Sequence, residues 1–213
     1  MPYRRRYRRR RFRRKKRASS AWAMAKKAWG YAKWIKTLLN VEKKHSIVSG
    51  NASITNNGSI VLLSSFAQGL DISDRSGNSM KAHSLACRWT VKQSTAATQT
   101  SVRLVIFIDK QQIQDTDPAV TDVLQSAAVT SGLNLGFLGR FHILYDRVIS
   151  FSDSGSEVLN LKYFKRFKNQ HLRWNGANAS DKQKNHVYFM FISDEPTNTP
   201  SIEYNCRFAC IDN

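Results

Sequence analysis

The sequence predicts an all-β domain of eight antiparallel strands behind a disordered basic N-terminal arm and a short N-terminal helix. Three observations carry this reading. Beyond Lys44, hydrophobic residues recur at every second position or in short apolar runs, separated by clusters of Gly, Asn, Asp, Ser and Pro. Between Ala18 and Asn40 the spacing is helical. The formal charge of +19 over 213 residues is also lopsided: Met1 to Lys44 holds 18 Lys or Arg against the single acid Glu42, whereas His45 to Asn213 holds 16 basic and 14 acidic residues. The chain is therefore a nearly neutral domain carrying a polycation, divided as 1–17, 18–44 and 45–213. A hydrophobic content of 41% is enough for one real core.

The arm, MPYRRRYRRRRFRRKKR, is interrupted only by Met1, Pro2, Tyr3, Tyr7 and Phe12. Its cations are Arg4, Arg5, Arg6, Arg8, Arg9, Arg10, Arg11, Arg13, Arg14, Lys15, Lys16 and Arg17. Like charges repel and there is too little apolar surface to offset backbone entropy, so the segment stays disordered until a polyanion neutralises it. Guanidinium groups fork onto phosphate oxygens and stack on bases, and the three aromatic rings offer platforms for unpaired bases. Nucleic-acid binding should be tight, unselective and steeply salt-dependent. Basic clusters of this kind also serve as nuclear import signals, and a run of twelve cations is longer than import needs.

The next segment, ASSAWAMAKKAWGYAKWIKTLLN, opens with an N-cap candidate at Ser19 or Ser20 and is rich in good helix formers. Ala21, Met24, Ala25, Ala28, Tyr31, Ala32, Ile35 and Leu39 share one stripe, and Trp22, Lys26, Trp29, Lys33 and Lys36 the opposite one. Indole alternating with ammonium suits a helix lying on nucleic acid, with lysines on phosphates and tryptophans against bases or sugars. A basic amphipathic helix is also what a membrane-surface or calmodulin-binding segment looks like, but the alanine-rich stripe argues against deep lipid insertion and suits close helix packing. Gly30 weakens the helix, since an interior glycine costs about 1 kcal/mol relative to alanine.

In the third part the candidate strands are Ser53 to Ser64 (with a possible break at Asn56-Asn57-Gly58), Met80 to Gln93, Ser101 to Asp109, Gly139 to Ser152, Glu157 to Phe167, Gln170 to Trp174, His186 to Ser193 and Ser201 to Ile211. Ile202, Tyr204, Cys206, Phe208 and Cys210 alternate with Glu203, Asn205, Arg207 and Ala209, and Leu85, Cys87, Trp89 and Val91 repeat the pattern. RLVIFID around Val105 and VYFMFIS around Phe189 are continuous apolar runs, as in strands covered on both faces. Asp117-Pro118 supplies an N-cap and a first helical position for one short helix continuing through AVTDVLQSAA. Eight strands with one excursion allow a sandwich or a barrel, the jelly roll among them.

Chemistry-bearing motifs are missing. His45, His83, His142, His171 and His186 are scattered, with no HExxH, P-loop or GxSxG, so no enzyme, cofactor or metal centre is expected. Asp71, Asp74, Asp153 and Asp194 fall in loops where solvated carboxylates are commoner than calcium ligands. The odd number of cysteines (Cys87, Cys206 and Cys210) fits a reducing compartment. The N-x-S triplets at Asn51, Asn57 and Asn178 follow no secretory leader, and no run approaches the roughly 20 apolar residues of a membrane span, so the chain reads as soluble. Lys162, Lys165, Arg166, Lys168 and Arg173 form a second basic cluster, readable as extra nucleic-acid contact or as an exposed strand face.

The terminal RRRYRRRRFRRKKR, LLNVEKK at Leu38 to Lys44, GRFHILYDRVISF at Gly139 to Phe151, LKYFKRFKNQHLRWNG at Leu161 to Gly176 and the closing FISDEPTNTPSIEYNCRFACIDN together resemble the capsid proteins of small circular Rep-encoding single-stranded DNA viruses. The shells of that group resemble that of satellite tobacco necrosis virus. The resemblance spans essentially the whole chain. It implies a single jelly roll, a homo-oligomer of sixty copies in the simplest icosahedral shell, an inward arm on a single-stranded DNA genome, and no enzymatic activity; an RNA satellite virus coat would look much the same. The chain would then reside in the virion and, with a host import receptor, in the nucleus during assembly, while the cell-surface receptor is left open. Sixty arms at +17 carry on the order of 1,000 positive charges, enough for a genome of roughly one to two kilobases. The rival readings are a cellular nucleic-acid-binding protein with a basic tail and a β-sandwich domain, such as a chromatin or ribosomal factor, and a jelly-roll lectin. Neither of these should form a closed particle.

Overall fold

The computed structural model describes residues 20–35, 42–97, 99–111, 116–152, 157–168 and 170–212. They belong to two compact units, Met1–Val41 and Glu42–Asn213, each taken by itself. In the first, residues 20–35 form one unbroken helix, α1, which runs through Gly30.

The second unit contains ten strands: β1 (Lys43–Ser53), β2 (Ser59–Leu62), β3 (Ser79–Lys92), β4 (Thr100–Asp109), β5 (Phe141–Phe151), β6 (Val158–Arg166), β7 (His171–Trp174), β8 (Lys182–Lys184), β9 (His186–Ser193) and β10 (Ser201–Asp212). A larger sheet runs β1-β10-β3, with β6 along most of β3 and the short pair β7-β8 continuing its start; the smaller runs β2-β9-β4-β5. Every named pairing is antiparallel. The chain changes sheet between β1 and β2, β2 and β3, β3 and β4, β5 and β6, β8 and β9, and β9 and β10, which nests four strands against four as a jelly roll; β7 and β8 are additions to it.

Alternation decides which side chains meet between the sheets. From the larger sheet come Leu85, Trp89, Val91, Ile202 and Phe208, and from the smaller Leu104, Ile106, Phe189 and Phe191, all buried in one cluster. Trp89 stacks on Phe189 with ring centroids 5.2 Å apart. The apolar runs of β4 and β9 are buried on their other face too, because Val105, Phe107, Tyr188 and Met190 form a second cluster with Val123 and Leu124 from the β4–β5 excursion. Each such side chain contributes roughly 1.5–3 kcal/mol relative to an exposed one.

Three expectations need correction. A strand, β1, lies where none was expected, and Lys43 and Lys44 belong to it. Its core-facing positions are Lys44, Ser46, Val48, Gly50 and Ala52, so the apolar alternation is faint. Lys44 is nonetheless buried, with its ammonium paired to Glu42 at 2.9 Å and donating to the Asp71 carbonyl at 2.9 Å. Within Ser53 to Ser64 the chain breaks at the Asn56-Asn57-Gly58 turn, as the sequence allowed, with Gly58 at φ +72°; Ser53 ends β1 and Ser59–Leu62 forms β2.

Strand β8 was also not foreseen, being three residues of Lys-Gln-Lys. The excursion helix, α2, is a single turn, Val120–Val123, and its cap is Ala119 rather than Asp117. The Ala119 N–H donates to the Asp122 carboxylate at 2.9 Å, while Asp117 accepts from Lys182. The chain leaves α2 extended at Leu124, which bridges Leu133, and this turns Val123 and Leu124 into the second cluster instead of continuing the helix.

Candidate nucleic-acid interface

On α1 the i, i+4 spacing places Lys26 and Lys33 each above an indole. Lys26 Nζ lies 3.9 Å from the Trp22 ring centroid and Lys33 Nζ 5.8 Å from that of Trp29. Both tryptophans stay about two-thirds exposed, at 63% and 67%. The ammonium covers one face of the indole, where the ring quadrupole attracts it, and leaves the other face and the edge open. A phosphate attracted by the lysine would arrive beside a ring able to stack on its base. The opposite stripe is exposed as well, with Met24 at 70% and Tyr31 at 65%. Of the remaining residues expected to bind nucleic acid, Arg4 to Arg17 and Lys36 lie outside the described residues.

The second basic cluster is divided by the strand register. Lys162 and Arg166 point outward from β6, while Lys165, Lys168 and Arg173 are exposed but do not share their row. Cations that sequence spacing could not associate stand beside them. Arg88 pairs with Lys162 across β3 and β6, and Arg207 on β10 lies opposite Ala86, which is itself opposite Phe164. The signal in the sequence was the exposed parity of β3 and β10; what it lacked was the order of the strands.

The structure also brings a serine and a histidine together. Ser64 Oγ is 3.1 Å from His186 Nδ1, and Nε2 is 2.9 Å from the Arg173 carbonyl. Nε2 therefore donates to that carbonyl, leaving Nδ1 to accept from the hydroxyl, which in turn accepts from the Val187 N–H at 3.0 Å. Both side chains are fully buried, and the third partner is a backbone carbonyl, not a carboxylate. Burial holds the imidazole down to about 4, against a smaller opposing effect of the Arg173 carbonyl. This is a closed structural chain that no substrate can reach.

The Asp74 carboxylate accepts from the Asp71 N–H at 3.3 Å and the Asp194 carboxylate from the Ser101 N–H at 2.8 Å, and no metal-ligand cluster occurs among the described residues. Among those residues no helix is long and apolar enough to cross a membrane. The three cysteines are buried and unbridged.

Comparison with known proteins supplies the family. The family model described as satellite tobacco necrosis virus coat protein matches residues 13–211. The coat protein of Maize white line mosaic Satellite virus is 26% identical over 187 residues, covering 84% of this chain and 85% of that one. Among solved structures, Broad Bean Stain Virus overlaps at a TM-score of 0.39 with 11% identity, covering 81% of this chain and 89% of that one. The xylan-binding domain CBM22-1 of Paenibacillus barcinonensis Xyn10C overlaps at 0.36 with 8% identity, covering 78% and 81%. The family rests on the sequence match, which runs from the end of the arm through β10, and it replaces both the cellular and the lectin readings. It is the satellite-virus side of the expected resemblance that is met. With its family model matched over residues 13–211, the chain belongs to the satellite tobacco necrosis virus coat protein family: it is a structural protein of a virion rather than an enzyme.

Proposed function

We propose that sixty copies of this chain close into the simplest icosahedral shell and package single-stranded nucleic acid through Arg4 to Arg17 and the Trp22/Lys26 and Trp29/Lys33 face of α1. The observation that carries this reading is the pairing of ammonium and exposed indole on one helix face, next in sequence to twelve cations. Phosphate neutralisation supplies the affinity and stacking the preference for unpaired bases. Exposed apolar side chains on shell loops, Leu70 at 96% and Leu135 at 67%, offer surface for contact between copies. The Rep-encoding resemblance points to DNA as cargo and kinship with satellite viruses to RNA. The arm also serves nuclear import if assembly takes place there.

The test is expression with and without Met1 to Arg17, followed by electron microscopy, the ratio of ultraviolet absorbance by nucleic acid to that by protein, and digestion of the extracted cargo with DNase or RNase. Uniform particles that hold cargo only when the arm is present are expected, and the nuclease identifies the polymer. A chain that stays monomeric at all salt concentrations would overturn the reading.

A further inference from the structure

The outward face of the larger sheet is a built surface, and its composition follows from register alone. Across β1, β10, β3 and β6, one row reads Ile47, Arg207, Ala86, Phe164, and the next reads Ser49, Asn205, Arg88, Lys162. A third row reads Asn51, Glu203, Thr90, Asn160, and the Thr90 hydroxyl donates to the Asn160 carbonyl oxygen at 2.7 Å. Arg166 and Lys92 extend the face at its two ends. It thus carries five cations (Arg88, Lys92, Lys162, Arg166 and Arg207) and one carboxylate, Glu203. None of these cations is in an ion pair with a described residue. The excess positive charge is felt at the neighbouring His45, whose imidazole is held below its usual range by burial and then by Arg207 and Lys43.

Phe164 lies within this field, 64% exposed, on a sheet whose inward side chains are packed. Same-face neighbours along a strand are about 7 Å apart, so Lys162 and Arg166 stand on either side of the ring at that spacing. Ala86, next to it across the strands, keeps the floor flat toward Arg207. Beside it the face dips into an open hollow of about 580 Å³, lined by Asn51, Asn205, Arg88, Thr90 and Glu203 among others. Amide, guanidinium and carboxylate groups there offer donors and acceptors of the kind that meet base edges. An exposed aromatic ring flanked by cations, beside a polar hollow, is the arrangement of a platform for an unpaired base. Five cations against one carboxylate suit a polyanion and would repel the same face of a second copy.

We propose that this face is a second nucleic-acid contact, independent of the arm and α1, in which Phe164 stacks on an unpaired base while Lys162, Arg166, Arg88 and Arg207 hold the flanking phosphates. It rests on the reading that the chain packages a single strand. The test uses full-length chain assembled on poly(U) containing thiouridine, irradiated with near-ultraviolet light, digested and mapped by mass spectrometry. A uridine adduct is expected on the segment carrying Phe164. It should fall by roughly tenfold in Phe164→Ala and persist in Phe164→Trp. The paired substitution Lys162→Ala with Arg166→Ala should weaken it as well, with adducts on residues 1–36 unchanged in every variant.

Cargo-filled particles with adducts confined to residues 1–36 would overturn the contact while leaving the packaging reading intact. Protein cross-links joining the Phe164 segments to a neighbouring copy would overturn it in favour of an interface between copies. Particles without cargo, or none at all, would overturn the packaging reading and this contact with it.

Discussion

The two sheets of the sandwich share one core and treat their outer faces in opposite ways. On the smaller sheet the outward side chains Val105, Phe107, Tyr188 and Met190 are themselves buried beneath the β4–β5 excursion. On the larger sheet the outward positions are Arg88, Lys162, Phe164, Asn205 and Arg207, all exposed. The outer face of the smaller sheet carries two forked ion pairs, of which the first fastens the end of the excursion to β4 and the second joins β4 to β5. Arg140 donates to both carboxylate oxygens of Asp109 at 2.9 and 2.7 Å, and Arg103 to both of Asp146 at 2.8 and 2.6 Å. Arg103 also donates to the Val129 carbonyl at 3.1 Å, which ties the excursion directly to β4. One sheet is thus closed off by the chain's own residues, while the other leaves a charged surface for something outside the subunit.

The sharpest way to break that contrast is to truncate an outward phenylalanine on the closed side. Phe107 is fully buried, stacked on Tyr188 at 5.5 Å and edge-on to Phe141 at 5.4 Å. Phe107→Ala should cost about 4 kcal/mol, as for other large-to-small changes in cores. Urea denaturation of dissociated subunits followed by tryptophan fluorescence measures it; a cost below about 1 kcal/mol would show that the excursion is not a packed layer.

Next in size is the fastening itself. Asp109 is fully buried, and its hydrogen bond is the main cause that raises the Arg140 guanidinium above its usual range. Asp109→Ala leaves that guanidinium, 11% exposed, without its carboxylate. We expect a loss of about 3 kcal/mol, at the low end for a broken buried pair because water can still reach Arg140. Faster hydrogen exchange confined to residues 116–140 would accompany it.

Much of this division was legible in the sequence. The continuous apolar runs of β4 and β9 announced two covered faces, and the strict alternation of β10 and of the second half of β3 announced one. The beginning of the domain was not legible, because Lys44 and Ser46 occupy core-facing positions of β1 and Ile47 points outward, 65% exposed. A buried lysine satisfied by Glu42 and the Asp71 carbonyl cannot be foreseen until the loop carrying Asp71 is placed. For the candidate interface the difference is similar. The stripe of α1 is a local pattern that reads directly from i, i+4 spacing. The face containing Arg88, Lys162 and Arg207 is assembled from residues up to 119 positions apart, and only the strand order joins them.

A third prediction concerns the seam between the sheets. His186 opens β9 in the smaller sheet, and its ring packs edge-on against Trp174 of the larger sheet at 4.8 Å. Burial depresses its pKa from 6.5 to about 4, so the unfolded chain binds the extra proton first as pH falls. Stability is therefore fully present above about pH 6.5 and is lost progressively between 6.5 and about 4. At pH 5 the loss should be about 2 kcal/mol from this residue. His186→Asn should flatten the acid limb of the stability profile; a limb unchanged by the substitution would place the sensitivity elsewhere.

The smallest expected effect sharpens the comparison most. Phe164 and Phe107 both point away from the shared core, one on each sheet, yet Phe164 is 64% exposed and lies among cations instead of apolar neighbours. Removing its ring opens no cavity, so Phe164→Ala should change subunit stability by no more than about 0.5 kcal/mol. The same bound applies to Arg207→Ala, since Arg207 forms no ion pair with a described residue. Both are measured with the urea assay used for Phe107→Ala. A cost of several kcal/mol at Phe164 would mean that its ring supports the sheet, and the difference between the two faces would lose its meaning. Near-zero cost, set against the large loss at Phe107, separates a residue retained for folding from one whose use lies outside the folded subunit.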